Sequence, residues 1–204
     1  MFLESDGRPV KCATLLSGGM DSAVLLYHQH PMPQVAVTVD YMQMNYREVG
    51  SAAGLCEQLG IEHVIVSVDG VHGGSLLGEG GEMSGPDTVV PNRNAILLHL
   101  AANVAVTTGC CRMAIGCNKT DHELYHDCRP EYLQCVGRSL AMLHGLRLFW
   151  PFGQMTKSDI RELGDTLDVP FDKTWSCYRN GSKPCGTCGA CEEVMKSSQG
   201  KVMQ

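Results

Sequence analysis

Six consecutive residues, Ser17-Gly18-Gly19-Met20-Asp21-Ser22, do most to limit what this chain can fold into. They follow an apolar run at residues 10–16 that reads as a strand and precede a helical run at residues 23–27. Adjacent glycines at a helix start leave backbone N–H groups unshielded, and the helix dipole favours negative charge there. Two hydroxyls and a carboxylate are more than a simple turn needs. No lysine follows the glycines, so this is not the common Walker-type loop, and it lacks the spacing of the dinucleotide fingerprint. The expectation is an anion site at the carboxyl end of a first strand. Leu16 to Ser22 would line it, and Asp21 would hold Mg²⁺ or position the loop.

The rest of the chain repeats the strand–helix alternation. Strands are predicted at Gln34–Asp40, 63–68, 112–117 and 146–149, and helices at 48–59 (stopped by Gly60), 94–108, 131–144 and 157–167. Such alternation implies an α/β fold, a doubly wound parallel five-stranded sheet covered on both faces. Residues 70–85 hold seven glycines in sixteen positions and read as a mobile loop without a packed element, suited to closing over a site. With 16 basic against 22 acidic residues and a net charge of −6, a nucleic-acid-coating role is disfavoured and a small-molecule substrate favoured. The longest apolar run, residues 95–106, is broken by His99 and Asn103 and falls short of the ~18 apolar residues of a membrane helix. Residues 1–11 mix Glu4, Asp6, Arg8 and Pro9 and do not read as a signal peptide.

The unusual number in the composition is eleven cysteines. Seven are scattered (Cys12, Cys56, Cys110, Cys111, Cys117, Cys128, Cys135); the odd total of eleven, with no secretory segment read, speaks for a reducing, cytoplasmic setting rather than disulfides. The other four, Cys177, Cys185, Cys188 and Cys191, follow a C-x7-C-x2-C-x2-C pattern with glycines between them. Four thiolates so close suit one tetrahedral Zn²⁺, an iron–sulfur cluster being the alternative. A closed four-sulfur site leaves no position for water. Its role is therefore structural, pinning a segment too short and glycine-rich to fold by burial alone. The division expected is a nucleotide-binding domain over residues 1–172 and a zinc segment over 173–204.

The S-G-G-x-D-S loop resembles the pyrophosphate loop of N-type ATP pyrophosphatases, with their Rossmann-like sheet. Further matches are Pro91-x-Arg93-Asn94, Gly116-x-Asn118-x-x-Asp121, Asp127-Cys128-Arg129-Pro130-Glu131, Met155-Thr156-Lys157-Ser158-Asp159-Ile160, and Val169-Pro170-Phe171 leading to Thr174-Trp175-Ser176-Cys177-Tyr178. In this order, over about residues 11–193, the set is similar to the 7-cyano-7-deazaguanine synthase family of queuosine precursor biosynthesis. The resemblance implies an ATP-dependent carbon–nitrogen ligase joining 7-carboxy-7-deazaguanine and ammonia through adenylated carboxylate and amide intermediates. It also implies a structural zinc at the four cysteines and a homodimer. The family's second strand ends D-Y-G-Q-R-H. Here Met42, Met44 and Asn45 replace glycine, arginine and histidine, and Glu48 is retained.

Arg129 is a candidate for the substrate carboxylate or the transferring phosphate, because a guanidinium forks onto either; capping a helix before Pro130 is the alternative. Arg93 and Lys157 are weaker candidates for phosphate. Asp121 and Asp127 would meet Mg²⁺ or the purine edge, or serve as turn formers. His122 and His126 have a ligand spacing but precede a proline-bearing loop, which favours a non-metal role. Rival functions are a tRNA-modifying ATP pyrophosphatase, a ligase stopping at the 7-amido product or using another amine, and a non-catalytic nucleotide-binding module.

Overall fold

The structure, a computed structural model, describes residues 10–199 except 33 and 79. The N-terminal reading of residues 1–11 thus falls almost wholly outside the described residues, as do residues 200–204. Five strands, β1 (Cys12–Leu15), β2 (Gln34–Asp40), β3 (Glu62–Ser67), β4 (Arg112–Ala114) and β5 (Arg147–Phe149), form one parallel sheet in the order β3-β2-β1-β4-β5. Every residue of β1 is buried, and β2 is buried as far as Val39, as central strands covered on both faces must be. At the sheet edges, β3 has no fully buried residue and β5 has only its central Leu148 buried.

The helices are α1 (Met20–Gln29), α2 (Arg47–Leu59), α3 (Arg93–Thr107), the single turn α4 (Asp121–Leu124), α5 (Pro130–His144), α6 (Lys157–Thr166) and α7 (Gly189–Gln199). Their ends follow local chemistry. Gly60 stops α2 in the left-handed conformation, Pro130 opens α5, and a Thr156–Asp159 capping box opens α6. Helices α1, α2 and α6 pack their apolar stripes on one sheet face around Leu25, Leu55 and Ile160. Helices α3 and α5 cover the other around Leu98, Met113 and Leu133. The doubly wound parallel architecture read from the sequence is therefore the one observed.

Three expectations need correction. The fourth strand spans Arg112–Ala114, with one further bond from Ile115 N to Phe149 O before the chain enters the site at Gly116. The glycine-rich stretch does pack: it forms 3₁₀ turns at Ser75–Leu77 and Gly85–Thr88, and Leu76 is 3% exposed. Its glycines serve a folded turn; at Gly74, φ +78, a Cβ would meet the Val89 carbonyl oxygen at 2.8 Å. The cysteine segment also contains a regular helix, α7, beyond the last one expected. Together with Trp175, Cys177, Cys188 and Cys191 it carries a small core of its own.

Candidate functional site

In the strand order 3-2-1-4-5 the connections from β1 and β4 leave in opposite directions, which opens a crevice at the carboxyl ends of these two strands. The Ser17–Ser22 loop follows β1, and the Gly116–Asp121 segment follows β4. Between them lies a cavity of about 310 Å³, lined also by the starts of α2, α3 and α6 and by the cysteine segment. Leu16, Ser17, Gly19, Met20, Asp21, Ser22, Arg93 and Asp121 all line it.

The loop is held by hydroxyls. Ser17 N and Gly18 N both donate to Ser22 Oγ at 3.2 Å, and Gly19 N donates to Ser17 Oγ at 3.3 Å. Met20 N donates to Ser176 Oγ at 3.2 Å, and Trp175 N to the Gly18 carbonyl at 2.9 Å. The cysteine segment therefore clasps the first turn of α1. Ala23 N makes the first helical bond, to Gly19 O, so the amides of Asp21 and Ser22 precede it and remain first-turn donors. At Gly18, φ +91, a Cβ would overlap the Glu48 carbonyl oxygen, so the loop lies directly on the start of α2.

Beside the loop is a charged cluster. Lys157 Nζ lies 3.1 Å from Asp21 Oδ2 and 2.9 Å from Glu193 Oε2, joining the loop to α6 and α7. Asn118 Nδ2 donates to the same Asp21 oxygen at 2.9 Å, while Asp21 Oδ1 is buried without a partner. Burial raises the Asp121 carboxyl to about 6, against the pull of Lys157. A carboxylate with one oxygen fixed and the other bare, next to a second carboxyl, is a donor set that fits Mg²⁺.

Farther from the loop, Arg93 lies 3.5 Å from Tyr41 Oη and 5.7 Å from the centre of the Tyr125 ring. Glu48 Oε1 accepts from Gln43 at 2.8 Å and Oε2 from Asn45 at 2.7 Å; burial lifts its carboxyl to about 7 despite these bonds and Arg93. The Trp175 indole N–H, also at the cavity wall, has no partner.

Asp127 and Arg129 stand apart from this wall. Asp127 Oδ2 accepts from Asn94 N at 2.8 Å, capping α3, and Arg129 Nε donates to the His122 carbonyl at 2.8 Å. Of the three residues that depart from the family pattern, only Asn45 lines the cavity. Met42 and Met44 are 66% and 43% exposed, and Met42 holds a left-handed φ of +65, a conformation suited to the glycine it replaces. Sequence reasoning assigned no role to Ser176, Glu193, Asn118 or Trp175. Their only signal was membership of quoted motifs, and for Glu193 nothing beyond its place two residues after the last cysteine.

The four cysteine sulfurs lie within 4.8 Å of one another, with Cys185–Cys191 and Cys177–Cys188 each at 4.0 Å. Bonds of about 2.3 Å to a tetrahedral zinc would set such sulfurs roughly 3.8 Å apart, so the quartet fits one ion. Backbone N–H groups of Cys185 and Arg179 donate to Cys177 Sγ at 3.3 and 3.4 Å, support that a thiolate ligand needs. Among the described residues this is the only such group of three or more His, Cys, Asp or Glu side chains. No helix among them is long and apolar enough to cross a membrane.

A family model described as queuosine biosynthesis protein QueC matches residues 11–199. A 7-cyano-7-deazaguanine synthase of Desulfotalea psychrophila is 38% identical over 195 residues, covering 88% of this chain and 89% of its own length. One from Thermoplasma acidophilum is 36% identical over 205 residues, covering 89% and 84%. Two solved structures share the fold. The U34-tRNA thiolase NcsA of Methanococcus maripaludis has a TM-score of 0.56 at 21% identity; the match covers 93% of this chain but only 63% of the thiolase. An NH3-dependent NAD synthetase of Campylobacter jejuni has a TM-score of 0.50 at 19% identity, over 81% of this chain and 66% of its own.

Proposed function

The chain belongs to the QueC family of queuosine-biosynthesis proteins, and on that premise we propose that it converts 7-carboxy-7-deazaguanine and ammonia to 7-cyano-7-deazaguanine with ATP. The observation that carries the reading is the hydroxyl-braced Ser17–Ser22 loop at the sheet's switch point, with Asp21 and Lys157 in ion-pair contact beside it.

A carboxylate does not react with ammonia at neutral pH. In the proposed sequence one of its oxygens attacks the α-phosphorus of ATP, releasing pyrophosphate and leaving an acyl adenylate. Ammonia adds at the carbonyl carbon, AMP departs and a proton is lost, giving the amide. The amide oxygen then attacks the α-phosphorus of a second ATP, releasing pyrophosphate; loss of AMP and of the nitrogen's protons leaves the nitrile. The chain's part is positioning and charge. Gly18, Gly19 and the first-turn amides of α1 face the departing pyrophosphate, with Ser17 and Ser22 as exchangeable hydroxyl partners. Lys157 offsets charge building up on the phosphates. Asp21 and Asp121 would hold Mg²⁺, which supplies charge neutralisation to the triphosphate. Cys177, Cys185, Cys188 and Cys191 would hold a zinc ion that keeps Trp175 and Ser176 against the loop and supplies no bond-making chemistry.

The same reading takes the substrate as a free base and not a nucleic acid, and the protein as a cytoplasmic homodimer with its zinc segment beginning near residue 173. Arg129 and Asp127 act through the α4–α5 connection and the α3 cap, as supports for the wall that carries Asp121 and Arg93. Mass spectrometry of products from the deazaguanine acid, ATP, Mg²⁺ and ammonium tests the proposal. Nitrile and AMP are expected, and Asp21→Ala should abolish both. An amide that accumulates without nitrile removes the second activation, and absence of AMP removes the reading altogether.

A further inference from the structure

The cavity has a second polar end, where α2 begins. Asn45 is 5% exposed and lines it. Its Nδ2 is engaged with Glu48 Oε2 at 2.7 Å, and its Oδ1 is a buried acceptor with no hydrogen-bond partner. With Glu48 ionised, the orientation of this amide follows from chemistry, because turned over it would press its oxygen against a carboxylate. Gln43 directs its Nε2 to Glu48 Oε1 at 2.8 Å and accepts Tyr41 N on its Oε1 at 2.9 Å. Glu48 has thus taken up both amide donors, and the acceptors left at this end are Asn45 Oδ1 and the remaining lone pairs of Glu48. An orphaned buried acceptor is costly until a donor reaches it. Near these acceptors, Arg93 lines the cavity with a tyrosine hydroxyl and a tyrosine ring as neighbours and, among the described residues, no carboxylate in ion-pair contact. Its charge is nevertheless close enough to act on Glu48.

We infer that Asn45, Glu48 and Arg93 form the receptor for the 2-amino-lactam edge of a guanine-type base, which presents two adjacent N–H donors and one carbonyl acceptor. The inference rests on the function proposed above and names the residues that select its substrate. Two acceptors and one cation match that edge. Adenine offers an amino donor next to a bare ring nitrogen, which here would meet a second acceptor. The receptor therefore also separates the base being modified from the base of ATP. Asn45 stands where the family pattern has histidine. A neutral imidazole likewise carries one N–H, for Glu48, and one free acceptor, so the exchange keeps the hydrogen-bonding pattern.

The test is calorimetric binding of three ligands to the zinc-loaded full chain: 7-carboxy-7-deazaguanine, its 2-deamino analogue, and ATP. The unmodified chain should prefer the 2-amino compound by about tenfold or more, the upper end for one hydrogen bond made in a buried site. Asn45→Ala should cut that preference to within about twofold and leave ATP affinity within about twofold, and Asn45→His should restore the preference. If Asn45→Ala does not fold, the analogue ratio for the unmodified chain decides alone. An absent preference, a preference unchanged in Asn45→Ala, or a loss falling on ATP instead would overturn the inference. Turnover of the acid without discrimination overturns it while sparing the proposed function; a chain that neither binds nor turns over the acid overturns both.

Discussion

Glu48 gives the sharpest quantitative expectation. Its carboxyl is raised from 4.5 to about 7, chiefly by burial and slightly by Asp40, with Gln43, Asn45 and Arg93 opposing. A raised acid binds its proton more tightly in the folded chain than in the unfolded one. Its contribution to stability is therefore constant below about pH 4.5, falls as pH rises toward about 7, and is constant again above. At about 1.4 kcal/mol per tenfold, the loss across that window is at most roughly 3 kcal/mol. For a chain of this size that is on the order of 6–12 °C in melting temperature. Glu48→Gln removes the titration, and Asn45 can turn its amide over to keep a bond to the new side chain. Thermal melts of the ligand-free, zinc-loaded protein between pH 5 and pH 8 provide the assay. The variant should match the unmodified chain near pH 5 and exceed it near pH 8. Asp121, raised to about 6 and of the same sign, is present in both proteins and cancels in the difference. Parallel pH profiles would refute the reasoning, as would a variant weaker at pH 8 than at pH 5 relative to the unmodified chain.

Gly18→Ala combines a left-handed φ of +91 with overlap onto the Glu48 carbonyl and should cost about 3 kcal/mol or more. Gly19→Ala, whose Cβ would find Ser17 Oγ and Ser176 Oγ at 3.5 Å, should fold normally; chemical denaturation of the pair is the check, and equal midpoints would count against the loop geometry. Lys157→Met leaves Asp21 and Glu193 without their shared cation and should destabilise by about 2–4 kcal/mol at pH 7 while weakening ATP binding. Melts and nucleotide titrations read both effects, and a stable variant with unchanged ATP affinity would contradict them. Cys188→Ser should lose zinc by elemental analysis together with solubility, and a soluble, active, metal-free variant would refute a structural ion.

The sequence revealed what depends on local chemistry. Periodicity located all five strands, the glycine pair marked the loop that lines the cavity, and cysteine spacing located the quartet that the structure brings within 4.8 Å. Features formed by distant segments were not legible. Nothing around Ser176 announces that its hydroxyl will meet Met20 N, 156 positions away, and nothing around Asp127 announces the amide of Asn94, 33 positions back. The glycine-rich stretch misled for a different reason. Composition counts glycines without telling whether each one frees the chain or permits a tight turn, as Gly74 does against Val89. Helix α7 was hidden because Cys191, in its first turn, read as a ligand before it read as part of a helix.

The contacts between the cysteine segment and the Ser17–Ser22 loop also bear on what a metal at the four cysteines would do. Trp175 N on Gly18 O, Ser176 Oγ under Met20 N, and Glu193 on the lysine that pairs with Asp21 all come from residues within two positions of a cysteine ligand. The core of this segment is small, made of Trp175, Ala190 and the cysteines with Met83 and Tyr178 against it, so a metal at the cysteines would reinforce these three bonds. An ion held by the four cysteines, none of which lines the cavity, would still set the shape of the Ser17–Ser22 surface proposed to receive the phosphates. Ser176→Ala, which keeps all four sulfurs, separates the two effects. Zinc content and fold should persist while ATP affinity drops several-fold, the scale of one hydrogen bond to a loop amide. Unchanged affinity would mean that the segment merely adjoins the loop.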